Sequence, residues 1–325
     1  AEAEHFFLNI SQLNPGEILK FNKQKIIKEN YIKKTNFDQK VSNENQFIEL
    51  TENFFSKKID DFKLSDVPLG IMLSSGVDSN LINNKLGESI NEIFTLDFGN
   101  TKFNESNSVI NDNANKNQKI NVCKFDNKVF ENIYDDTIDA FDNPITDSVI
   151  FSLNHLMKEV SKKVKVAFSG EGADEIFGGY YHFSIINYIE NIKKFSISKN
   201  LGNFLTLVPH SLINLFFQYQ GKLGLTGKKR FTECLKTNFE TNNDFEDLIS
   251  VFSRNEIKNL LTPDYKSKID NDRKEFSKKN LILDNFSKWL PNYTLYKTDQ
   301  LSMHNGLEVR VPYLNNDFYN IFFEI

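Results

Sequence analysis

Cysteine is scarce in this sequence, and long apolar runs are absent. The 325 residues include 2 cysteines, Cys123 and Cys234, which lie too far apart to suggest a metal site. This usage does not imply an oxidising compartment, and Cys123 lies in an apolar alternation that predicts a small core residue. No apolar run is long enough to span a bilayer, and we identify no signal peptide before His5. We therefore expect a cytoplasmic protein with no membrane partner.

Positive charge is also in deficit. The formal net charge of −5 at neutral pH argues against a protein that binds nucleic acid through phosphate contacts. The chain is long enough to bury a substantial core and to form more than one domain.

A short polar turn follows the apolar run Leu69–Leu73. Residues 74–76 form the turn, and Asp78 opens a segment with helical periodicity. A strand, a tight turn and a helix N-terminus make an anion pocket, because unpaired backbone N–H groups and the positive end of the helix dipole point at one place. No lysine follows the glycine, so the turn is not a Walker loop. The alternative is an ordinary strand-to-helix turn with Asp78 as a helix cap.

Strand and helix patterns alternate along the chain. We predict strands at 69–73, 93–98, 120–125 and 164–168, and helices at 43–62, 78–86, 105–115, 129–141 and 147–160, the last capped by Asp147. This alternation predicts an α/β fold with a parallel, doubly wound sheet, whose ligand site lies beyond the carboxyl ends of the strands. We therefore expect the chemistry near Leu73, Leu96 and Phe168.

The N-terminal residues read as a fragment rather than a domain. Phe6–Ile10 and Ile18–Phe21 are strand candidates on either side of a turn signal at Asn14–Gly16. A lone hairpin is marginally stable in water. It either packs on the domain that follows or is the tail of a preceding domain.

A second polar motif, residues 169–180, follows the fourth predicted strand. It places three acids, Glu171, Asp174 and Glu175, among four glycines. Acids beside a polyphosphate would repel it unless Mg²⁺ lay between them, since Mg²⁺ bridges carboxylates and phosphate oxygens. Asp78 and Asp174 are the natural pair of ligands, one from each motif. The alternative is that these acids are turn formers and caps.

The motifs together resemble the synthetase domain of glutamine-dependent asparagine synthetases. Three blocks occur in the family's order, namely Ser74–Ser79, Ser169–Tyr180 and Leu307–Leu314, the last preceded by Asp299. Phe103–Ser106 and Asp142–Ser148 match landmarks between the blocks. The resemblance implies a synthetase domain at 37–325 with an ATP pyrophosphatase-like sheet followed by a helical C-terminal region. Residues 1–36 resemble the closing strands of the family's glutaminase domain.

The resemblance implies an ATP site built from both loops. The residues that it matches to ATP and pyrophosphate contacts are Leu73, Ser74, Ser75, Gly76, Asp78, Ser79, Leu96, Ser169 and Gly170. Asp78 and Asp174 match Mg²⁺ ligands. Glu171 matches the catalytic acid that is important for forming and using the acyl-adenylate.

The implied reaction has two steps. The side-chain carboxylate of aspartate attacks the α-phosphate of ATP, and ammonia then displaces AMP to give asparagine. The family takes ammonia from glutamine with an N-terminal cysteine, whereas the first cysteine here is Cys123. We interpret the chain as truncated at its N-terminus, or as served by free ammonia or a separate glutaminase. A lysine that the family places beyond the third block also falls outside the sequence, so we expect C-terminal truncation.

Other functions stay open at this point. Relatives with the same adenylating domain act on other carboxylates, as in beta-lactam synthetases, lasso-peptide cyclases and sugar amidotransferases, and a non-catalytic nucleotide-binding relative is a further alternative. Gln300 departs from the lysine or arginine that usually follows Asp299. Glu308 and Arg310 either line a substrate or ammonia path or form a buried structural ion pair. A homodimer is one option for assembly.

Some residues carry no functional signal. His182, His210 and His304 lack any ligand spacing. Phe216, Phe217 and Tyr219 are better explained by core packing than by a binding stripe.

Overall fold

The computed structural model describes residues 7, 9–22, 25–31, 43–102, 104–114, 117–194, 198–213, 225–236, 252, 254–262, 282–283, 285–316 and 318. The chain divides into two compact units, one formed by Ala1–Ile176 with Ser287–Ile325 and the other by Phe177–Phe286. Within the described ranges, no helix combines the length and the hydrophobicity that a membrane span needs.

The N-terminal segment forms an antiparallel hairpin. Strand β1 (Glu17–Asn22) pairs with β2 (Lys25–Asn30), and the Asn22 side chain accepts a hydrogen bond from the Lys25 N–H at 3.1 Å. The predicted turn at Asn14–Gly16 is present, but it precedes β1. The connection between β1 and β2 is short, so closing this hairpin costs little conformational entropy. The pairing of Ile18–Phe21 with Phe6–Ile10 that we predicted needs a longer loop and is less favourable.

The strand predicted at Phe6–Ile10 is wrong. Phe7, Asn9 and Ile10 lie in bend, turn and irregular conformations, with Asn9 at a positive φ of 65°, whereas Phe6 and Leu8 fall outside the described residues.

A five-stranded parallel sheet forms the centre of the first unit. Its strands are β3 (Leu69–Met72), β4 (Ile90–Asp97), β5 (Lys119–Lys124), β6 (Val166–Phe168) and β7 (Glu308–Arg310), in the spatial order β5-β4-β3-β6-β7. All four residues of β3 are buried, as expected for a central strand that is covered on both faces. The predicted α/β fold with a parallel sheet is confirmed. The edge strand β7 was not predicted.

The helices around this sheet agree with the predicted periodicity to within a few residues. They are α1 (Glu44–Lys63), α2 (Val77–Leu86), α3 (Ser106–Asn113), α4 (Asn127–Asp139) and α5 (Val149–Ser161). The short helix α6 (Ala173–Phe177), which follows β6, was not predicted. Asn43 and Asp126 cap α1 and α4 through their side chains. Asp147 accepts the Val149 N–H at 3.0 Å, but Ser148, not Asp147, is the N-cap residue of α5.

The second unit is helical over its described residues, as predicted. It contains α7 (Tyr181–Lys193), α8 (Ser198–Leu207), α9 (His210–Ile213), α10 (Leu225–Lys236) and α11 (Arg254–Leu260). Ile186, Ile189 and Leu235 are buried in its core. The aromatic residues Phe216, Phe217 and Tyr219 lie outside the described residues.

The chain re-enters the first unit through an unusual helix. A π-helix, Asn285–Thr294, contains Pro291 and continues directly into α12 (Leu295–His304), which precedes β7. Leu301 on α12 joins Met72, Phe94 and Cys123 in the core on one side of the sheet. The prediction that Cys123 is a small core residue is confirmed.

An aromatic cluster attaches α1 to the segment after β7. The ring of Phe55 lies 5.5 Å from that of Tyr313 and 5.2 Å from that of Phe318, measured between centroids. Phe55 is 1% exposed and the other two are fully buried. Edge-to-face and tilted aromatic pairs at these distances stabilise a core beyond the area that they bury.

The substitution Phe55→Ala should lower the free energy of unfolding by about 3–5 kcal/mol, because it leaves a cavity between these rings. The matched control is Ile48→Ala on the same helix, where the side chain is 56% exposed, and its effect should stay within about 0.5 kcal/mol. Urea unfolding followed by circular dichroism measures both. Equal midpoints for the two variants would contradict the role of the cluster.

Candidate functional site

A cleft of about 470 Å³ lies at the carboxyl ends of β3, β4 and β6. The predicted site residues that line it are Leu73, Ser74, Gly76, Asp78, Ser79, Leu96, Ser169, Gly170, Glu171 and Asp174. Ser75 does not line it, although its backbone N–H donates to Glu105, which does. The two motifs therefore meet at one site, as the doubly wound fold predicted.

The first loop, residues 74–79, is closed by its own hydroxyl groups. The Ser79 hydroxyl lies 3.1 Å from that of Ser74, and the Ser74 hydroxyl accepts the Gly76 N–H at 3.2 Å. Gly76 is the N-cap residue of α2, and no side chain caps this helix. Asp78 instead lies in the first helical turn and lines the cleft, which argues against the alternative that it is a simple cap.

The second loop, residues 169–174, packs directly on the first. A Cβ atom added to Gly170 would lie 2.8 Å from the Ser79 nitrogen and 3.0 Å from its Cα. Both of these atoms belong to the backbone, so neither can move without shifting the loop. Only glycine therefore permits this approach, and the loops share one wall of the cleft.

Tyr313 contacts the first loop and Leu314 contacts the second. The Tyr313 hydroxyl donates to the backbone carbonyl of Asp78 at 3.0 Å. Gly172, with φ at +91°, lies so close to Leu314 that a Cβ there would overlap its side chain. Tyr313 and Leu314 both belong to the 3₁₀ turn Pro312–Leu314, inside the third sequence block.

Burial is the largest influence on two acids of the cleft. Burial, followed by the nearby charges of Asp78 and Glu175, raises the pKa of Asp174 to about 6. Burial also raises the pKa of Asp78. Two partly buried carboxylates that line one cleft are a place where a cation is favourable.

Asp78 and Asp174 fit the predicted magnesium site in chemistry. Among the described residues, no group of three histidine, cysteine or acidic side chains could hold a metal without other ligands. Mg²⁺ in nucleotide enzymes commonly takes one or two carboxylates and completes its coordination with phosphate oxygens and water. The two acids therefore suit a metal that arrives with a polyphosphate.

Glu171 is the most deeply buried acid of the cleft. One carboxylate oxygen, Oε1, accepts a hydrogen bond from the Thr298 hydroxyl at 2.7 Å. The other, Oε2, is buried and has no hydrogen-bond partner among the described residues. Burial raises the pKa of Glu171 to about 7, against the opposing effects of Thr298 and Lys297. Such a carboxyl group can both hold and release a proton near neutral pH.

Glu308 and Arg310 form an ion pair, but it is not the buried pair that the sequence left as one alternative, because the Glu308 side chain is 56% exposed. The Arg310 Nε donates to Glu308 at 2.6 Å, and its guanidinium also donates to the carbonyls of Phe62 and Leu64 at the C-terminal end of α1. Arg310 thus satisfies carbonyls that the end of a helix leaves unpaired.

The described residues that line the cleft include no histidine. The Nε2 of His304 is 3.0 Å from Asp136, and burial lowers the pKa of His182 to about 4. His210 lies at the start of α9.

Sequence reasoning missed three residues that shape the site. Glu105 was noted within the landmark at 103–106 but without a role, and Phe103 itself lies outside the described residues. Tyr313 belonged to a recognised block, also without a role. Thr298 carried no signal beyond its position next to Asp299.

The family model for asparagine synthase matches residues 55–325 of this chain. The chain belongs to the asparagine synthase family. It is 25% identical over 301 residues to asparagine synthetase [glutamine-hydrolyzing] 1 of Bacillus subtilis, which covers 89% of this chain and 45% of that protein.

Mycobacterial proteins are similar over a shorter region. A putative asparagine synthetase [glutamine-hydrolyzing] of Mycobacterium bovis is 25% identical over 196 residues, covering 55% of this chain and 27% of that protein. The same values apply to its namesake in Mycobacterium tuberculosis. The chain thus spans less than half the length of the curated relatives that it matches.

One backbone N–H of the first loop already binds a carboxylate of the protein. The Ser75 N–H donates to the Glu105 carboxylate at 2.9 Å, and Glu105 is an exposed residue. Removing this acid with Glu105→Ala should free the N–H and reduce repulsion, so that magnesium pyrophosphate binds about 3- to 10-fold more tightly. Isothermal titration calorimetry measures the affinity.

Glu88→Ala is the matched control, because Glu88 is an exposed acid that precedes β4 at the opposite end of the sheet. Its affinity for magnesium pyrophosphate should equal that of the wild type. Weaker binding by the Glu105 variant would show that the carboxylate braces the loop instead of competing with the ligand.

Proposed function

We propose that this chain is the synthetase part of an ATP-dependent amidoligase, which adenylates the side-chain carboxylate of aspartate and transfers ammonia to give asparagine, AMP and pyrophosphate. The observation that carries the proposal is the meeting of the two loops on one cleft, with Gly170 packed on the backbone of Ser79. Family membership supports the reaction class.

The first loop would hold the pyrophosphate that leaves. The N-terminus of α2 presents backbone N–H groups and the positive end of its dipole, and Ser74 and Ser79 add hydroxyl donors. Ser169 and Gly170 would contact the nucleotide from the second loop. Leu73 and Leu96 would pack against the adenine ring.

Asp78 and Asp174 would hold Mg²⁺ together with the phosphate oxygens. When bound, the metal ion would offset negative charge on the triphosphate as the bond to the α-phosphate breaks. The acidic lining supports this proposal, because the cleft carries Asp78, Glu105, Glu171 and Asp174 and no lysine or arginine from the described ranges. The protein alone would repel a triphosphate.

Glu171 would act on the amine. Ammonia attacks the carbonyl carbon of the acyl-adenylate, a C–N bond forms, and the C–O bond to AMP breaks. The nitrogen must lose a proton in this step, and a carboxylate with a pKa of about 7 is suited to accept it.

A different acceptor carboxylate is the second candidate. Aspartate carries an α-carboxylate that needs a cationic partner, and among the described residues no basic side chain lines the cleft. A sugar acid, a beta-amino acid or a peptide carboxylate would need a different set of binding groups in the cleft. ATP–pyrophosphate exchange separates these candidates, since exchange that depends on aspartate supports asparagine synthesis and silence with aspartate rejects it.

The source of ammonia is proposed from resemblance. A glutaminase-type domain would supply it from glutamine, with residues 1–36 as the closing strands of that domain and 37–325 as the synthetase domain. A homodimer stays a prediction.

Glu171→Ala should leave ATP affinity within about threefold of the wild type, because other groups hold the phosphates, while amide formation falls by about 100-fold or more, because no carboxylate then takes the proton from the amine. Calorimetry and a hydroxamate assay measure the two quantities. Glu131→Ala, which removes an exposed acid on α4, is the control and should change neither. Amide formation at the wild-type rate would remove Glu171 from the mechanism.

The rate of amide formation should rise with pH through about 7, because Glu171 must be a carboxylate to accept the proton. Hydroxamate formation from hydroxylamine, which is largely uncharged near neutral pH, measures this profile. The folded state binds this proton more tightly than the unfolded chain, so the stability that the group contributes at low pH is lost as pH rises through about 7. Glu171→Gln should abolish both dependences, and a variant that kept them would contradict the assignment.

A further inference from the structure

Within the part of the chain that the structure describes, the Glu171 carboxylate accepts one hydrogen bond, which comes from a distant helix. The Thr298 hydroxyl donates to Oε1 at 2.7 Å, and Thr298 is 4% exposed. The other oxygen, Oε2, is buried without a partner among the residues that the structure describes. The two oxygens of the carboxylate thus have different surroundings. Oε1 accepts a hydrogen bond, and Oε2 accepts none from the described residues.

The helix that carries Thr298, α12, is held in place by an ion pair of the neighbouring residue, Lys297. The Lys297 ammonium lies 2.5 Å from the Asp147 carboxylate, with the two side chains 12% and 15% exposed, and 4.1 Å from the centre of the Tyr293 ring. Burial would raise the pKa of Asp147, but hydrogen bonds from Lys297 and the Val149 N–H hold it below its usual value. The Asp147 carboxylate is therefore ionised at neutral pH, and its contact with Lys297 ties α12 to the start of α5.

We propose that Thr298 is a positioning residue for Glu171, which engages Oε1 so that Oε2 is the oxygen that faces the amine and receives its proton. This inference rests on the proposed function. The proton balance is simple: an N–H bond of the attacking nitrogen breaks, an O–H bond forms at Oε2, and Thr298 keeps its own proton throughout.

Some of the surroundings of Glu171 favour its protonated form and others favour its carboxylate. Burial and the neighbouring Glu175 favour the protonated acid, whereas the Thr298 hydroxyl and the Lys297 charge favour the carboxylate. Asp78 and Asp174 line the same cleft and carry further negative charge. Loss of the hydroxyl removes one of the two stabilising influences, so the carboxylate should form at a higher pH.

Thr298→Val replaces the hydroxyl with a methyl group of similar size, and Thr298→Ser keeps it. With the Val variant, kcat for hydroxamate formation at neutral pH should fall about 10-fold, since a hydrogen bond to a charged group is lost. The KM for ATP should change by less than about twofold, because Thr298 is not among the residues that line the cleft. The midpoint of the pH profile should move to higher pH, and Thr298→Ser should restore both values.

Ser302→Ala is the matched control on the same helix. Ser302 is 2% exposed, and its hydroxyl donates to the Asp299 carbonyl at 3.1 Å, within the helix. Its loss should leave kcat and the pH midpoint unchanged. A Val variant with the wild-type kcat and midpoint, or a Ser302 variant that reproduces the Val effect, would overturn the inference.

Failure of the proposed function would look different. If the wild type forms no hydroxamate with any carboxylate tested, the reaction assignment fails, and the inference about Thr298 is then decided without turnover. Carbon-13 NMR of labelled glutamate carboxyl groups reports the ionisation of Glu171 directly, with Glu171→Gln identifying its signal. A midpoint that rises in Thr298→Val supports the inference, and an unchanged midpoint overturns it.

Discussion

The close approach of two backbone turns at Gly170 is the constraint on which the site depends. Strands β3 and β6 are neighbours in register, with Ile71 opposite Phe168, so they end at nearly the same level. The turns that follow start side by side, separated by roughly the 4.8 Å between paired strands. A side chain at position 170 would push one turn away from the other. The cleft exists because that side chain is absent.

Glu171 shows how a fold can keep an acid poised between its two protonation states. Burial alone would keep the carboxyl group neutral, and a strong ion pair would keep it charged. The structure gives it one hydroxyl donor and one lysine that already belongs to Asp147, so neither tendency dominates. A carboxyl group in this intermediate condition suits proton transfer better than either extreme.

The sequence predicted most of the sheet and the loops that line the cleft, because their signals are local. An apolar run that ends in small polar residues defines a strand and its turn within a dozen positions, as at Leu69–Ser79. The features that sequence reasoning missed depend on long-range contacts. Thr298 meets Glu171 across 127 positions and Tyr313 meets Asp78 across 235, and no local pattern encodes such pairs.

The N-terminal hairpin and β7 show the same limit. The turn signal at Asn14–Gly16 was read correctly, but which strands pair depends on a competition between partners that periodicity does not resolve. Strand β7 has three residues and is recognisable as a strand through its pairing with β6.

The 3₁₀ turn Pro312–Leu314 has one further consequence. Consecutive residues of this segment, Tyr313 and Leu314, contact different loops, so movement of one loop is coupled to movement of the other. A molecule that immobilises the first loop would already have paid part of the conformational entropy needed to fix the second. Pyrophosphate at one turn and a ligand at the other would then bind with positive cooperativity, without any change of shape.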